Sequence, residues 1–384
     1  MRLLPTTEQA LAITMWDTGW LTRHFKYDSM EDWDKCLDEL VERGYNAIRI
    51  DAFPHLVAAD SQGRVSDSFL RVLGEGALYE PWRNQWSVYL SPRAGLLEFL
   101  PKCRERGVRV GLSTWYPDVA NERHCDARGV DGFVRVWDET LQFLDEHGLA
   151  EDLLYVDLLN EYPFAHNFQW LKNELENLRE PHEPTWFWPE KKLRFLSDFS
   201  TSALARLKEK WPQLQFMFSF SYAGKMKDRM WSLLDLSEHQ LLDCHMWAVN
   251  SPFGDESGYW VNLHKRRESD RDFCPGFRQL MDCWKEKKGE VEKWLHDLAA
   301  DATAKAEEYD LPIGNTEGWG PIVWRDHPYL TWDFVKECGL IGARIGAELG
   351  YAFNCSSNFT HPHFSGLWAD VDYHREVTGI IKGT

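Results

Sequence analysis

The stretch LLYVDLLNEYPF, residues 153–164, sets an apolar run of strand length directly against Asn160 and Glu161. Leu, Tyr and Val over Leu153 to Leu159 fit a strand buried on both faces. The Tyr-Pro step then turns the chain. A carboxylate that closes a buried strand is costly to leave unpaired, so Glu161 either joins a salt bridge or serves a site. The stretch PIGNTEGWG, residues 312–320, repeats the pattern: a short apolar run, Pro312 to Thr316, meets Glu317 and then glycine and tryptophan.

Working outward from these two stretches, short apolar runs alternate with longer amphipathic, charge-rich segments, as βαβ units require. The strand candidates are Ala10 to Trp16, Tyr45 to Asp51, Val108 to Ser113, Leu153 to Leu159, Leu214 to Phe220, Leu241 to Trp247, Pro312 to Thr316 and Gly350 to Asn354. Helices are expected over Met30 to Arg43, stopped by Gly44, and from Pro92 with Ser91 as N-cap to Arg106 before Gly107. Further helices are expected over Gly132 to His147, Lys191 to Lys210, Lys225 to Leu236 and, as one helix or a pair, Gly276 to Tyr309. Eight strand–helix units over 384 residues predict an α/β fold, a single (β/α)8 TIM barrel domain over 1–384 with enlarged loops on its catalytic face.

In such a barrel the site lies at the C-terminal ends of the strands. The polar residues there are Asp17, Arg49, Asp51, Asp118, Asn160, Glu161, Ser221, His245, Glu317 and Asn354. Structural roles are open to the two glutamates, with Glu161 capping a helix and Glu317 paired to Arg49. Capping, however, does not call for Asn-Glu at one strand and a second Glu across the barrel.

NEYPF after the fourth strand, TEGWG after the seventh and an arginine in the second together resemble the retaining glycoside hydrolases of the cellulase-like superfamily, clan A. At the level of strand order the resemblance spans the whole chain. It implies Glu161 as acid/base, Glu317 as nucleophile, Asn160 as the contact to the sugar 2-hydroxyl and Arg49 as the residue holding Glu317. The chemistry fits: retention needs two carboxyl groups about 5 to 5.5 Å apart, one protonated and one ionised. In many members the sixth strand ends in His-x-Tyr, the tyrosine touching the nucleophile. Here it reads His245-Met246-Trp247, so Trp247 either donates its indole N–H or packs. The tryptophan that often floors the sugar site has no clear counterpart, leaving Phe353 or Trp368 for that place. Asp51 and His55 in DAFPH, Trp115 in STWYPD, and Trp319 and Asn354 complete the expected substrate-binding set.

The bulk numbers narrow the alternatives. A formal charge of −18 repels a polyanion, so no nucleic-acid partner is expected. Twenty tryptophans are well above what an average domain carries, and indole rings pack cores but also stack on the apolar faces of sugars. Trp16, Trp20, Trp115, Trp247, Trp319 and Trp368 stand apart from the helix tryptophans, because they end or follow strand-like runs or sit in loops. The cysteines have no CxxC spacing, which points to free thiols. No metal and no cofactor are expected: metal-dependent barrels place His-x-His after the first strand, where this chain has MWDTGW, and His361 and His363 read as a pair at the surface or pocket rim. Two matches to the glycosylation sequon, at Asn354 and Asn358, carry little weight without a secretory leader. No apolar run is long enough to span a membrane, and a cytoplasmic location is expected. The expected substrate is a carbohydrate, a β-linked glucoside, mannoside or galactoside. Trp82, Trp86, Trp186 and Trp188 in the loops after strands two and four would wall off a pocket and favour exo action. The alternatives are a catalytically silent carbohydrate-binding barrel and a metal-dependent hydrolase on the same fold.

Overall fold

The computed structural model describes residues 9–72, 87–117, 119, 123, 127–163, 168–180, 189–221, 233–261, 270–328 and 330–384. Eight parallel strands form the centre: β1 (Leu11–Asp17), β2 (Ala47–Asp51), β3 (Arg109–Ser113), β4 (Leu153–Asp157), β5 (Phe216–Met217 continued as Ser219–Ser221), β6 (Leu242–Trp247), β7 (Ile313–Asn315) and β8 (Phe353–Cys355). Each pairs with its neighbour in sequence, and β8 returns to β1. The ring closes through β5, whose first half pairs with β4 and whose second half pairs with β6. Between the halves Phe218 is skipped, because Asp157 draws Ser219 inward through both its backbone N–H (2.9 Å) and its hydroxyl (2.8 Å). The expected (β/α)8 barrel is therefore the fold.

Side-chain alternation decides what fills the barrel. Leu11, Ile13, Met15, Ala47, Tyr155, Met217, Leu241, Phe353 and Cys355 form one buried apolar cluster in the lumen. Two glycines make room for its aromatic rings: a Cβ on Gly111 would lie 2.3 Å from the Tyr155 ring, and one on Gly314 2.3 Å from that of Phe353. The opposite parity faces the helices. These include α1 (Trp33–Glu42), α2 (Pro92–Glu105), α3 (Gly129–Glu146), α4 (Glu190–Lys210), α5 (Asp270–Glu308), α6 (Asp333–Glu348) and α7 (Val371–Lys382). Helix α1 shows the local logic: Asp32 caps it by accepting from the Lys35 N–H at 3.1 Å, and Trp33, Cys36, Leu37 and Leu40 form its buried stripe. The segment expected as one helix or two is the single 39-residue helix α5. No described helix is long and apolar enough to cross a membrane.

A two-stranded antiparallel ribbon, Phe69–Arg71 with Val88–Leu90, lies in the long loop after β2, where the sequence suggests only loop. The loop tryptophans Trp82, Trp86, Trp186 and Trp188, together with Asp118 and most of the helix expected over Lys225 to Leu236, lie outside the described residues. The described cysteines Cys36, Cys103, Cys244, Cys283, Cys338 and Cys355 are free thiols.

Candidate active site

Above the apolar lumen sits a layer of buried charge. Arg49, projecting from β2 and 1% exposed, donates from one guanidinium nitrogen to Glu317 Oε1 at 2.5 Å and from the other to Ser113 Oγ at 3.1 Å. That second nitrogen lies 3.6 Å from Asp157 Oδ2. Burial opposes the guanidinium charge, but the Glu317 and Asp157 carboxylates outweigh it and hold Arg49 above its ordinary value. Asp157 is tied down in turn by the hydroxyls of Ser113 (2.7 Å) and Ser219 (2.8 Å).

His245, on β6, bridges the two halves of the site. Its Nδ1 lies 3.4 Å from Glu161 Oε1 and 3.8 Å from Glu317 Oε1, while its Nε2 lies 3.4 Å from Asp243 Oδ2. Burial disfavours the imidazolium, yet Glu317 and Asp243 raise it to about 10. The neighbouring carboxylates thus favour the protonated form of the His245 imidazole. Its surplus affinity for protons stabilises the fold fully below about pH 6.5 and is lost as pH rises towards 10. Urea unfolding between about pH 6.5 and 8.5 should show stability falling in the wild type and falling less in His245→Gln; equal slopes would contradict a charged His245.

The two glutamates approach from opposite sides of this layer. One carboxylate oxygen of Glu161, one of Glu317 and a nitrogen of His245 all lie within 4.8 Å of one another. Glu161 follows β4 in a left-handed conformation (φ 51°), with its N–H donating to Ser219 Oγ at 3.0 Å. That geometry is uncommon for a non-glycine residue and clusters at functional positions. The Glu161 side chain is 13% exposed and that of Glu317 2%. Asn160 is fully buried and its N–H donates to Thr114 O at 3.0 Å. Among the described residues, neither polar atom of its side-chain amide has a partner. An amide buried in this way costs about 1 to 3 kcal/mol unless something supplies the missing bonds.

Not every residue of the expected substrate-binding set meets this cluster. Asp51 accepts the N–H groups of Phe53 (2.7 Å) and Trp115 (2.8 Å), and burial pushes its carboxyl up to about 6. It therefore ties the loops after β2 and β3 together and sets the backbone of Trp115. His55 donates from Nε2 to the Pro117 carbonyl at 3.0 Å and bears on the same loop. Trp247 ends β6 two residues beyond His245 and is 2% exposed.

Three members lie elsewhere. Asn354 faces the helices because Phe353 and Cys355 take the lumen side of β8; its amide accepts from Trp319 Nε1 (3.0 Å) and donates to Gly342 O (3.0 Å). Trp319 is packed with it against α6 at Gly342. Trp368 lies on the short helix Ser365–Trp368, donates to Glu39 Oε2 at 2.7 Å and stacks under Arg43, so it joins the helix layer beside α1. Trp16 and Trp20, whose positions in sequence set them apart, are fully buried as well. His361 is also fully buried rather than at a surface or rim, and burial holds it and His363 below the ordinary histidine range.

Residues that the sequence does not single out complete the cluster. Asp157, Asp243, Ser113, Ser219 and Thr316 anchor Arg49, His245 and the strand ends, with Thr316 donating to Asp243 Oδ2 at 2.5 Å. A buried aspartate inside each of the apolar runs LLYVDLL and LLDCHMW is the available signal. Asn358, in the loop after β8, lies 3.4 Å from Glu317 Oε2. Both sequon-like asparagines, Asn354 and Asn358, are buried. Because Arg49 neutralises two buried carboxylates, Arg49→Met should cost about 3 to 5 kcal/mol, read as a lower urea midpoint; an unchanged midpoint would mean that the pairing contributes nothing.

A barrel with carboxylates beyond its fourth and seventh strands and an arginine beneath one of them is the framework of the cellulase-like glycoside hydrolases. The chain belongs to that cellulase-like family, described as sugar-binding cellulase-like, whose sequence profile matches residues 13–382. It is similar to a candidate glycoside hydrolase from Parabacteroides distasonis, with 31% identity, a TM-score of 0.83, and coverage of 97% of this chain and 93% of that one. A glycoside hydrolase family 5 enzyme from Prevotella bryantii, solved with a xyloglucan tetradecasaccharide, shares the fold at 10% identity and a TM-score of 0.55, covering 98% and 99% of the two chains. A family 5 mannosidase from Rhizomucor miehei does so at 10% identity and a TM-score of 0.51, covering 97% and 93%. No curated protein matches the chain.

Proposed function

We propose that this protein is a retaining glycoside hydrolase that cleaves a β-glycosidic bond by double displacement, with Glu317 as nucleophile and Glu161 as acid/base. The observation that carries the proposal is the approach of one oxygen of each carboxylate to within 4.8 Å. A retaining enzyme needs about 5 to 5.5 Å between them, whereas an inverting one needs about 6.5 to 9.5 Å to hold a water between carboxylate and sugar.

The surroundings divide the roles. Glu317 is the deeper carboxylate and is bonded to a permanent cation, Arg49. Glu161 is the more accessible one, at the position that a leaving group or incoming water reaches. In the first step a Glu317 oxygen bonds to the anomeric carbon, the glycosidic C–O bond breaks, and the departing oxygen takes the Glu161 proton. In the second, water gives a proton to Glu161 and its oxygen to the anomeric carbon, releasing Glu317 as carboxylate. The unpartnered Asn160 amide supports a place for it at the sugar 2-hydroxyl, where it would gain the bonds it lacks.

The test is hydrolysis of a panel of aryl β-glycosides and β-linked oligosaccharides by the wild type beside Glu161→Gln and Glu317→Gln. Turnover of at least one member, lost in both variants, is expected. Sugar binding without turnover would favour the silent binding barrel.

Glu161, His245 and Glu317 also have the spacing of a metal site. Arg49 already occupies Glu317 Oε1 at 2.5 Å, so a permanent cation stands where a metal ion would take that oxygen. Incubation with excess EDTA should accordingly leave turnover unchanged; loss restored by a divalent cation would establish the metal-dependent hydrolase instead.

A further inference from the structure

The two oxygens of Glu317 are not equivalent. Oε1 takes the 2.5 Å bond from Arg49 and lies 3.8 Å from His245 Nδ1. The other oxygen, Oε2, faces the neutral amide of Asn358 at 3.4 Å. Asn358 is fully buried, and its orientation is fixed, because its Oδ1 accepts the Gly318 N–H at 3.1 Å. With that oxygen committed, the Asn358 NH2 group is turned towards the carboxylate. Glu317 itself is steadied from below by its own N–H, which donates to Asn315 Oδ1 at 3.0 Å.

From this arrangement we infer that Asn358 is a positioning residue that presents Glu317 Oε2 as the attacking oxygen. The inference rests on the reading of Glu317 as nucleophile and deepens it. An oxygen bound at 2.5 Å by a guanidinium has its charge drawn off and is the poorer nucleophile. An oxygen held by one long bond to a neutral amide keeps its charge while its direction is set. As Oε2 bonds to the anomeric carbon, the glycosidic bond breaks and its electron pair leaves with the departing oxygen, protonated by Glu161. Oε1 then becomes the carbonyl oxygen of the glycosyl ester and retains its donor, Arg49. When water displaces the ester, Oε2 recovers its charge and the Asn358 bond forms again. The loop after β8 thereby supplies a contact to the nucleophile at a site where the sixth strand ends in Trp247.

The charged and titratable groups around Glu317 enter the test. They are Arg49 from β2, Glu161 beyond β4, His245 from β6 and the Cys355 thiol of β8, which burial pushes up to about 12. Asn358→Ala leaves every one of them in place and adds no charge, so a shift in its acid limb of kcat/KM reports the Asn358 contact.

Asn358→Asp is the informative variant, because it keeps the side-chain shape and the acceptor for the Gly318 N–H while replacing the donor to Oε2 by a second acid. Asn358→Ala removes the donor outright. On whichever panel substrate the wild type turns over, kcat should fall about 3- to 10-fold in Asn358→Ala, the worth of one long hydrogen bond. The acid limb of kcat/KM should move to higher pH in both variants, further in Asn358→Asp, where two carboxyl groups compete for one charge. Thermal midpoints recorded alongside confirm that the compared proteins are folded. An acid limb at the wild-type pH in folded Asn358→Asp, with Glu317→Gln inactive, would overturn the inference and leave the nucleophile assignment standing. Activity retained in Glu317→Gln would overturn both.

Discussion

Glu317→Ala should lose about 10⁵-fold in kcat on its best substrate and regain activity with sodium azide, the product being a glycosyl azide of inverted configuration. The size of the loss follows from the role proposed for Glu317 as the group that forms a covalent intermediate, since removing such a group costs about five to six orders of magnitude when it acts within a catalytic unit. The configuration follows from geometry. Removal of the side chain leaves space beneath the anomeric carbon, next to the Arg49 guanidinium, and a small anion there attacks from the face that Glu317 occupied. Only one displacement then occurs, so the configuration inverts. Chiral chromatography or NMR of the azide adduct reads the outcome, and a retained product would reverse the assignment of the two glutamates.

Glu161→Ala should behave differently according to the leaving group. For oligosaccharides and other poor leaving groups, kcat/KM should fall about 10²- to 10⁴-fold, the usual contribution of a positioned general acid. A dinitrophenyl glycoside departs without protonation, so its first step should be nearly unaffected and the glycosyl-enzyme should accumulate. Azide would then attack that intermediate from the open face and give a glycosyl azide of retained configuration. Equal losses on good and poor leaving groups would show that Glu161 does not transfer the proton.

Much of the barrel is legible in the sequence because each strand is an apolar run with a sharp chemical boundary. Leu153 to Leu159 and Leu241 to Trp247 differ from the structural strands by no more than about two residues at either end, within the usual uncertainty of such boundaries. Glu161 and Glu317 stand out for the same reason, as acids at the ends of buried runs. The break in β5 is not legible in this way: LQFMFSF alternates without interruption, and only the pull of Asp157 on Ser219 across the sheet skips Phe218. Nor does the sequence mark the Phe69–Arg71 and Val88–Leu90 ribbon, whose strands are only 3 residues each.

The departures within the expected substrate-binding set share one cause. Closeness in sequence to a strand end suggests Trp319 and Asn354, and the resemblance suggests Trp368, whereas alternation along β8 and packing on α1 and α6 determine where their side chains point. Asn358 shows the converse. It resembles a glycosylation sequon in sequence, and its contact with Glu317 exists only because the loop after β8 folds back over Gly318. Asp157 and Asp243, buried among the strand ends, are within reach of a parity argument: Asp157 follows the lumen-facing Tyr155 by two positions, and Asp243 precedes His245 by two.

The central claim, that two carboxylates with one oxygen of each within 4.8 Å of the other act in succession on one anomeric carbon, is tested most directly by the configuration of the first-formed sugar. Proton NMR of the anomeric signal, recorded in the first minutes of hydrolysis of a β-glycoside by the wild type and before mutarotation, reads it in one experiment. The β-anomer appearing first, with the α-anomer growing in later, is the result expected of double displacement. The α-anomer appearing first would mean a single displacement by water and would contradict the account.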